Sequence, residues 1–395
     1  MTSLALLAGL LFYLPLLFSA LSTLYHLAVA VAALRFRSTP EGSSDFSPPV
    51  SILKPVRGIE QNFYATLASF FRQDYPSFEI VFGLSAGPSG QADAARWTIA
   101  QLQRDFPGVA VKIVAVADDP HASIQNPQNP KMTKLEHMLP EASHEHIVLS
   151  DADIRVEPDY LRRIVAPLTD ERVGLVTCLY RGVPAKTFLS KLEALGMSGD
   201  FAGQVLLARM ISGMRFGLGA TIATRKKQIA EIGGISKWSE YLADDYILGR
   251  EIAAAGYGVH LSHTVVESVL PPRTASQMFQ QQLRWARTIR ACSPGGYPGL
   301  ILVFGVPLAL LGLAVQPASA LVLGMLAAVL IGRLLSAWTA GVMVCGDRVL
   351  ARNLWLLPVR DLFGLGIWML SFFGREVVWR DARFRLEPGG KVKAA

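Results

Sequence analysis

The chain has 395 residues, room for one large domain or two small ones; 51% are hydrophobic, 17% are charged, and the formal net charge is +7. That is too apolar for an ordinary soluble enzyme, and the apolar excess sits at the two ends, which describes a membrane protein with a soluble middle. Arg and Lys cluster beside the apolar segments, as suits anionic lipid headgroups rather than nucleic acid, and no nucleic-acid motif is present. Cys178, Cys292 and Cys345 are scattered, with neither metal spacing nor a disulfide framework.

Leu4 to Leu34 is an almost unbroken apolar run long enough to span a bilayer. It exceeds a signal-peptide core and lacks a basic region before it, so it reads as an uncleaved anchor. Arg35 and Arg37 follow it directly, which by the positive-inside rule places the N-terminus outside and the middle domain in the cytoplasm. His26 within the run reads as a packed or interfacial histidine. A Ser/Pro/Gly-rich linker, Ser38 to Pro49, leads to Val50–Pro55, a strand that stops at a proline. A helix at Phe63 to Phe71, a strand at Glu79 to Leu84, a helix at Ala92 to Phe106 and a strand at Val109 to Val116 follow. This alternation is the pattern of a parallel α/β sheet. The polar loop Asp118 to Lys131, with Asn126-Pro127 and Asn129-Pro130-Lys131, is either a Pro-rich connection or a flap over a phosphate-bearing ligand, with Lys131 as a point charge.

Ile147-Val148-Leu149 is a short apolar run, read as a buried strand, and Asp151 and Asp153 follow it where ligands of such sheets bind. Two carboxylates two positions apart repel unless a cation or proton lies between them; Mg²⁺ held by them and by phosphate oxygens is one reading. A capping Asp151 with a solvated Asp153 is the other. A helix at Pro158 to Pro167 and a strand at Val173 to Tyr180 come next. Lys186 to Ile211 has helical spacing with an apolar face, suited to core packing or to the bilayer surface. Asp244-Asp245, flanked by Leu242 and by Ile247-Leu248, begins a helix to Ala255. One of the two acids has a catalytic task, or both are caps. Gly258 to Val269 supplies the last strands.

Ser276 to Arg290 is a helix on which Gln281, Arg284 and Trp285 share one face, offering a phosphate fork beside a flat stacking surface. With Arg287 and Arg290 nearby, a juxtamembrane helix that needs only lipid fits as well. Leu300 to Val315 and Ala318 to Val344 are two spans, the second kinked or cut short at Arg333. Trp355 to Phe373 is a third apolar stretch, interrupted by Pro358, Arg360 and Asp361, that crosses or dips back. The divisions are a 1–36 anchor, a 47–275 catalytic domain, a 276–296 interfacial helix, 297–374 membrane segments and a 375–395 basic tail.

In order, Lys54-Pro55, Asn129-Pro130-Lys131, Asp151-Ala152-Asp153, Asp244-Asp245-Tyr246 and Gln281-Gln282-Leu283-Arg284-Trp285 resemble the ceramide glucosyltransferase family, glycosyltransferase family 21, with its bacterial hopanoid-associated relatives. The resemblance implies an α/β, GT-A (Rossmann-like) cytosolic domain between N- and C-terminal transmembrane helices, in a bacterial inner membrane for the hopanoid relatives. It implies an inverting transfer of one sugar, glucose or N-acetylglucosamine, from a UDP-sugar to a lipid hydroxyl such as ceramide or a hopanoid. Carried over, Asp151 and Asp153 hold Mg²⁺ or Mn²⁺ on the diphosphate. Lys54, Pro55, Asn129 and Lys131 belong to the nucleotide-sugar side, and Asp245, beside Asp244, is the general base. Gln281, Arg284 and Trp285 line the acceptor and diphosphate side. Two places depart from the pattern: no acid follows Leu84 until Asp93, so nucleotide binding there differs or Asp93 reaches in from its helix, and Gly199-Asp200 stands where the ceramide enzymes carry a histidine. A processive polysaccharide synthase shares these motifs but needs a polymer channel, for which the spans are few. A catalytically silent lipid-binding relative is the third reading.

Overall fold

The computed structural model describes residues 2–42, 45–86, 90–117, 129–317, 319–379 and 382–394. They form two compact units, Met1–Thr39 with Lys186–Ile211 and Pro272–Val377, and Pro40–Ala185 with Ser212–Pro271 and Val378–Ala395. In chain order, the helix α1 (Thr2–Ser38) precedes β1 (Val50–Pro55), α2 (Phe63–Phe71), β2 (Phe78–Ser85), α3 (Gly90–Asp105) and β3 (Ala110–Val116). Then come α4 (Pro130–Glu141), β4 (His146–Leu149), β5 (Ile154–Arg155), α5 (Tyr160–Val165) and β6 (Val173–Val183). The helices α6 (Phe188–Gly196) and α7 (Ala202–Ser212) flank a π-helical turn, Met197–Phe201, before β7 (Ile222–Arg225), α8 (Lys226–Glu231), α9 (Asp244–Ala254) and β8 (Gly258–Val269). The long helices α10 (Ala275–Cys292), α11 (Gly305–Val315), α12 (Ala320–Ser336) and, after the short α13 (Arg348–Arg352), α14 (Leu357–Ser371) follow. Strands β9 (Glu376–Trp379), β10 (Ala382–Leu386) and β11 (Val392–Ala394) end the chain.

The second unit is built on an eight-stranded sheet of order β3-β2-β1-β4-β7-β6-β8-β5. Strands β3, β2, β1 and β4 run parallel, as the strand–helix alternation to Val116 leads one to expect. The expectation of a wholly parallel sheet fails beyond β4: β7 is antiparallel to both β4 and β6, and β5 is antiparallel to β8. The reason is connectivity. A parallel neighbour needs a crossover laid on the sheet, whereas the connection from β6 to β7 runs through residues 186–211, which belong to the other unit. Gly258–Val269 is one strand of twelve residues rather than several. The two-residue period splits the apolar residues cleanly. Ile52, Phe82, Val148 and Val176 enter one core with Phe70, Tyr160 and Leu161, while Leu53, Val81, Ile147, Leu149 and Leu175 enter the other with Leu135, Trp238 and Ile247. Residues 375–395, expected to be a basic tail, instead carry strands; β10 and β11 pair antiparallel, and Val392 N–H donates to Glu240 O (2.8 Å).

The first unit holds four helices long and apolar enough to cross a membrane, Tyr13–Ser38, Tyr297–Val315, Ala320–Val344 and Leu354–Ser371. In α1 much of the inward face is small or polar (Ser19, Ser22, His26, Ala30, Ala33), with Leu16, Val29 and Phe36 among them, and Leu17, Leu21, Leu24 and Leu34 face outward. This inversion of the soluble pattern lets backbones approach closely and leaves large aliphatics for lipid. Gly305 is one such approach, since a Cβ there would overlap Ser22 Oγ, which donates to Leu302 O (2.7 Å). His26 is packed, with Nδ1 at 2.9 Å from Ser336 Oγ. Arg333 does not end its span: α12 runs through it and continues as a π-helical stretch, Ala337–Val344. Pro358 falls in the first turn of α14, where its missing N–H costs nothing.

Candidate active site

The carboxyl ends of β1 and β4, the N-termini of α4 and α9, and the Phe216–Gly219 loop converge on four aspartates and two lysines. Lys54, the last side chain of β1 before Pro55, turns under β4. It donates to Ser150 Oγ (3.2 Å) and Asp151 O (2.9 Å), with Nζ over the Phe70 ring at 3.4 Å. Burial pushes its ammonium down to about 7, against the pull of Asp151 and Asp153. Asn129 caps α4, accepting from Lys131 N–H (3.0 Å), and its Nδ2 donates to Tyr241 O (3.0 Å) and Asp244 Oδ1 (3.1 Å). That cap aims Lys131, whose Nζ lies 2.8 Å from Asp151 Oδ1 and 3.2 Å from Asp244 Oδ2. The two carboxylates hold it charged well above the usual lysine value, against the cost of burial.

Asp153 accepts from Ser268 Oγ on β8 (2.7 Å); burial first, then the Asp151 charge, raises it to about 6. Asp245 also stands at about 6, through burial and the adjacent Asp244. Its Oδ1 accepts from Tyr246 N–H (2.8 Å), and its carbonyl accepts from Gly217 N–H (3.2 Å). Two glycines permit this. A Cβ at Gly249 would lie 2.1 Å from Gly217 N, so only glycine lets α9 press on the 216–219 loop. A Cβ at Gly219 would lie 3.1 Å from Asp245 Oδ2 and 3.7 Å from Asp151 Oδ2, so a residue without a side chain lets both acids approach this point of the loop.

A divalent cation fits here. Lys131 already sits as a cation between Asp151 and Asp244, and Asp153 and Asp245 are each raised to about 6 by burial and a neighbouring carboxylate. Among the described residues no three His, Cys, Asp or Glu side chains form a cage. An ion would therefore take Asp151 and Asp153 plus ligand oxygens, the habit of Mg²⁺.

The motif residues of α10 belong to the unit of long helices. A capping box, Thr274 with Gln277, starts the helix, and Gln281 Nε2 donates to Glu193 Oε1 (2.9 Å), while Arg273 pairs with Glu193 Oε2 (3.0 Å). Arg284 and Trp285, one turn on, are partly buried. Arg287 and Arg290 do more than face lipid: Arg287 donates to the carbonyls of Phe373 (2.5 Å) and Glu376, and Arg290 to that of Gly374 (2.9 Å). These cations sit at the negative C-terminal end of α14.

Several residues here had no signal in the sequence. Lys134 is buried and donates to Val56 O (2.7 Å) and Ser85 Oγ (3.2 Å) at the ends of β1 and β2. Tyr180 is held protonated by burial and by Asp245, Asp151 and Asp153. Only the proximity of a strand and a helix distant in sequence reveals them. Asp93 does not turn inward: it is exposed and pairs with Arg96 (3.2 Å), whose Nη2 donates to Ser85 O (2.8 Å). The proposed flap at Asp118 to Lys131 lies, up to residue 128, outside the described residues, as do residues 87–89 of the stretch after Leu84.

The chain matches the model of glycosyl transferase family 21 over residues 14–392. It is 25% identical over 304 residues to ceramide glucosyltransferase 3 of Caenorhabditis elegans, covering 73% of this chain and 63% of that one. To ceramide glucosyltransferase 1 of the same organism it is 24% identical over 360 residues, 88% and 74% of the two chains. It thus spans between about two thirds and three quarters of these relatives' lengths. Among solved structures, a mannosyltransferase from Pyrobaculum calidifontis, in complex with GDP-Man and Mn²⁺, superposes with a TM-score of 0.52 at 18% identity, over 92% of this chain and 99% of that one; it shows a shared fold. With the family model running from the first long helix to the last strand, the chain belongs to glycosyl transferase family 21.

Proposed function

We propose that the protein is an inverting glycosyltransferase that moves one sugar, glucose or N-acetylglucosamine, from a UDP-sugar to the hydroxyl of a membrane lipid such as ceramide or a hopanoid, with its sheet domain on the cytosolic side of the membrane, a bacterial inner membrane if the acceptor is a hopanoid. The observation that carries it is the convergence of Asp245 and Asp151 on Gly219, with Lys131 bridging Asp151 to Asp244.

Asp245 takes the proton of the acceptor hydroxyl. The freed oxygen bonds to the anomeric carbon as the bond from that carbon to the diphosphate oxygen breaks, so UDP leaves with the electron pair and the configuration inverts. A base with a pKa of about 6 is mostly ionised at pH 7 yet still a competent proton acceptor. Lys131 meets the diphosphate as a point charge, and its release from Asp151 on donor binding would free that carboxylate. Asp151 and Asp153 would hold Mg²⁺ or Mn²⁺, which supplies charge compensation on the departing diphosphate. Lys54 fixes the Ser150–Asp151 turn from beneath, and Asn129 aims Lys131. Gln281, Arg284 and Trp285 serve the acceptor and the diphosphate.

The test is a transfer assay on detergent-purified protein with Mg²⁺ or Mn²⁺, pairing radiolabelled UDP-sugars with ceramide, diacylglycerol and a hopanoid. A lipid carrying one sugar is the expected product; polymer, or no product with any pair, would overturn the proposal.

A further inference from the structure

The unit of long helices contains a chain of buried charges that ends on the motif helix. Arg333 on α12 donates from Nε and Nη2 to Asp361 on α14 (2.8–3.1 Å), from Nη1 to Gly199 O (2.9 Å), and from Nη2 to Asp200 in the π-helical turn. The other oxygen of Asp200 accepts from Arg360 Nε (3.1 Å), and Arg360 Nη2 donates to Gln282 Oε1 on α10 (3.1 Å). Arg333 is 1% exposed, Asp361 0%, Asp200 7%, Arg360 9% and Gln282 7%.

From this geometry we infer that the Asp200–Arg333–Asp361–Arg360 cluster is a positioning device that sets the Gln281–Gln282 turn of α10, and through it the Q-x-x-R-W side chains. Consecutive residues on a helix point about 100° apart, and here each of the two glutamines is gripped by a buried charged group. Glu193 of α6 holds Gln281, and Arg360 holds Gln282. Two carboxylates already neutralise two guanidiniums, so the bond to Gln282 adds nothing to charge balance; it fixes where the helix face lies. The cluster also sits there at a cost. Arg360 Nη1 is buried without a hydrogen-bond partner, and the guanidinium fits only because residue 196 is glycine, where a Cβ would lie 2.5 Å from Nη2. Buried ion pairs are poor sources of stability and better sources of a unique arrangement, and ionisable groups inside membrane helices mark functional positions.

The inference rests on the proposed role of Q-x-x-R-W in transfer, so Gln281→Ala is the reference. Full-length Gln282→Leu, Arg360→Met, Arg360→Lys and Gln281→Ala are purified in detergent and compared per folded molecule, with kcat and KM measured separately for UDP-sugar and lipid. Gln282→Leu and Arg360→Met are expected to lose at least tenfold in kcat/KM for the lipid, following the pattern of Gln281→Ala, and Arg360→Lys to recover part of the loss. Gln282→Leu removes no charge, so it still tests the positioning role if Arg360→Met fails to fold. Near-normal Gln282→Leu beside an impaired Gln281→Ala would overturn the positioning role alone. Near-normal Gln281→Ala would overturn the reading of the motif, and this inference with it.

Discussion

Replacing Asp245 by Asn should remove turnover while making the metal-free protein more stable, an opposition of signs that few alternative roles share. Asn keeps an oxygen for the Tyr246 N–H and the size of the side chain, so the approach to Gly219 and the contact of α9 with the 216–219 loop survive. What disappears is a carboxylate that burial and Asp244 have raised from 3.8 to about 6. That rise corresponds to about 3 kcal/mol of disfavoured charge, so after relaxation the substitution should stabilise by about 1–3 kcal/mol. For a folded unit of this size that is an increase of about 2–8 °C in melting temperature. The sign depends on pH. Above about 6 the folded carboxyl is ionised and the full penalty is present; as pH falls through 6 the folded state protonates first, and near 4 the gain vanishes. Transfer, in contrast, should fall by about 10²–10⁴-fold at every pH, the usual loss of a general base. UDP-sugar affinity should stay within about threefold. Melting curves of metal-free protein from pH 4.5 to 8, with single-turnover transfer on the same samples, measure both arms. Turnover within tenfold of wild type, or a variant that melts lower at pH 7.5, would refute the assignment.

Three further outcomes follow from the same geometry. Asp153→Ala should weaken UDP-sugar binding in Mn²⁺ and leave metal-free binding little changed; equal affinity with and without the ion would remove the metal from that side chain. Lys131→Met leaves Asp151 and Asp244 without their shared cation and should cost roughly tenfold in donor affinity, the worth of a charge-assisted bond, a loss that calorimetric titration would show directly. Arg333→Leu strands the buried carboxylate of Asp361 and should destabilise by about 3–5 kcal/mol, whereas Arg333→Leu with Asp361→Leu leaves the neutral Asp200–Arg360 pair and should recover most of it; equal melting points for the single and double variants would argue against the network.

Where physics is local, the sequence alone determined this protein. Apolar runs bounded by prolines and polar turns placed β1 to β4, the lead helix and α9 within a few residues, because a buried strand or span must bury its own side chains whatever its neighbours are. The carboxylates of Asp151-Ala152-Asp153 and Asp244-Asp245 stood out for the same reason: acids set directly after a buried strand, or at a helix start among apolar neighbours, must meet a cation, a proton or a helix dipole; which of Asp244 and Asp245 acts came only from the resemblance. Tertiary structure decided the rest. Strand direction beyond β4 depends on how the chain returns to the sheet, which no local period encodes. Arg333 and Asp361 looked like breaks in apolar spans because their partners lie 28 positions apart and in a π-helical turn from another part of the chain. Lys131 between Asp151 and Asp244, Lys134 between two strand ends, and Glu193 holding Gln281 are pairings of distant residues, and Coulomb's law acts through distances that only the folded chain sets.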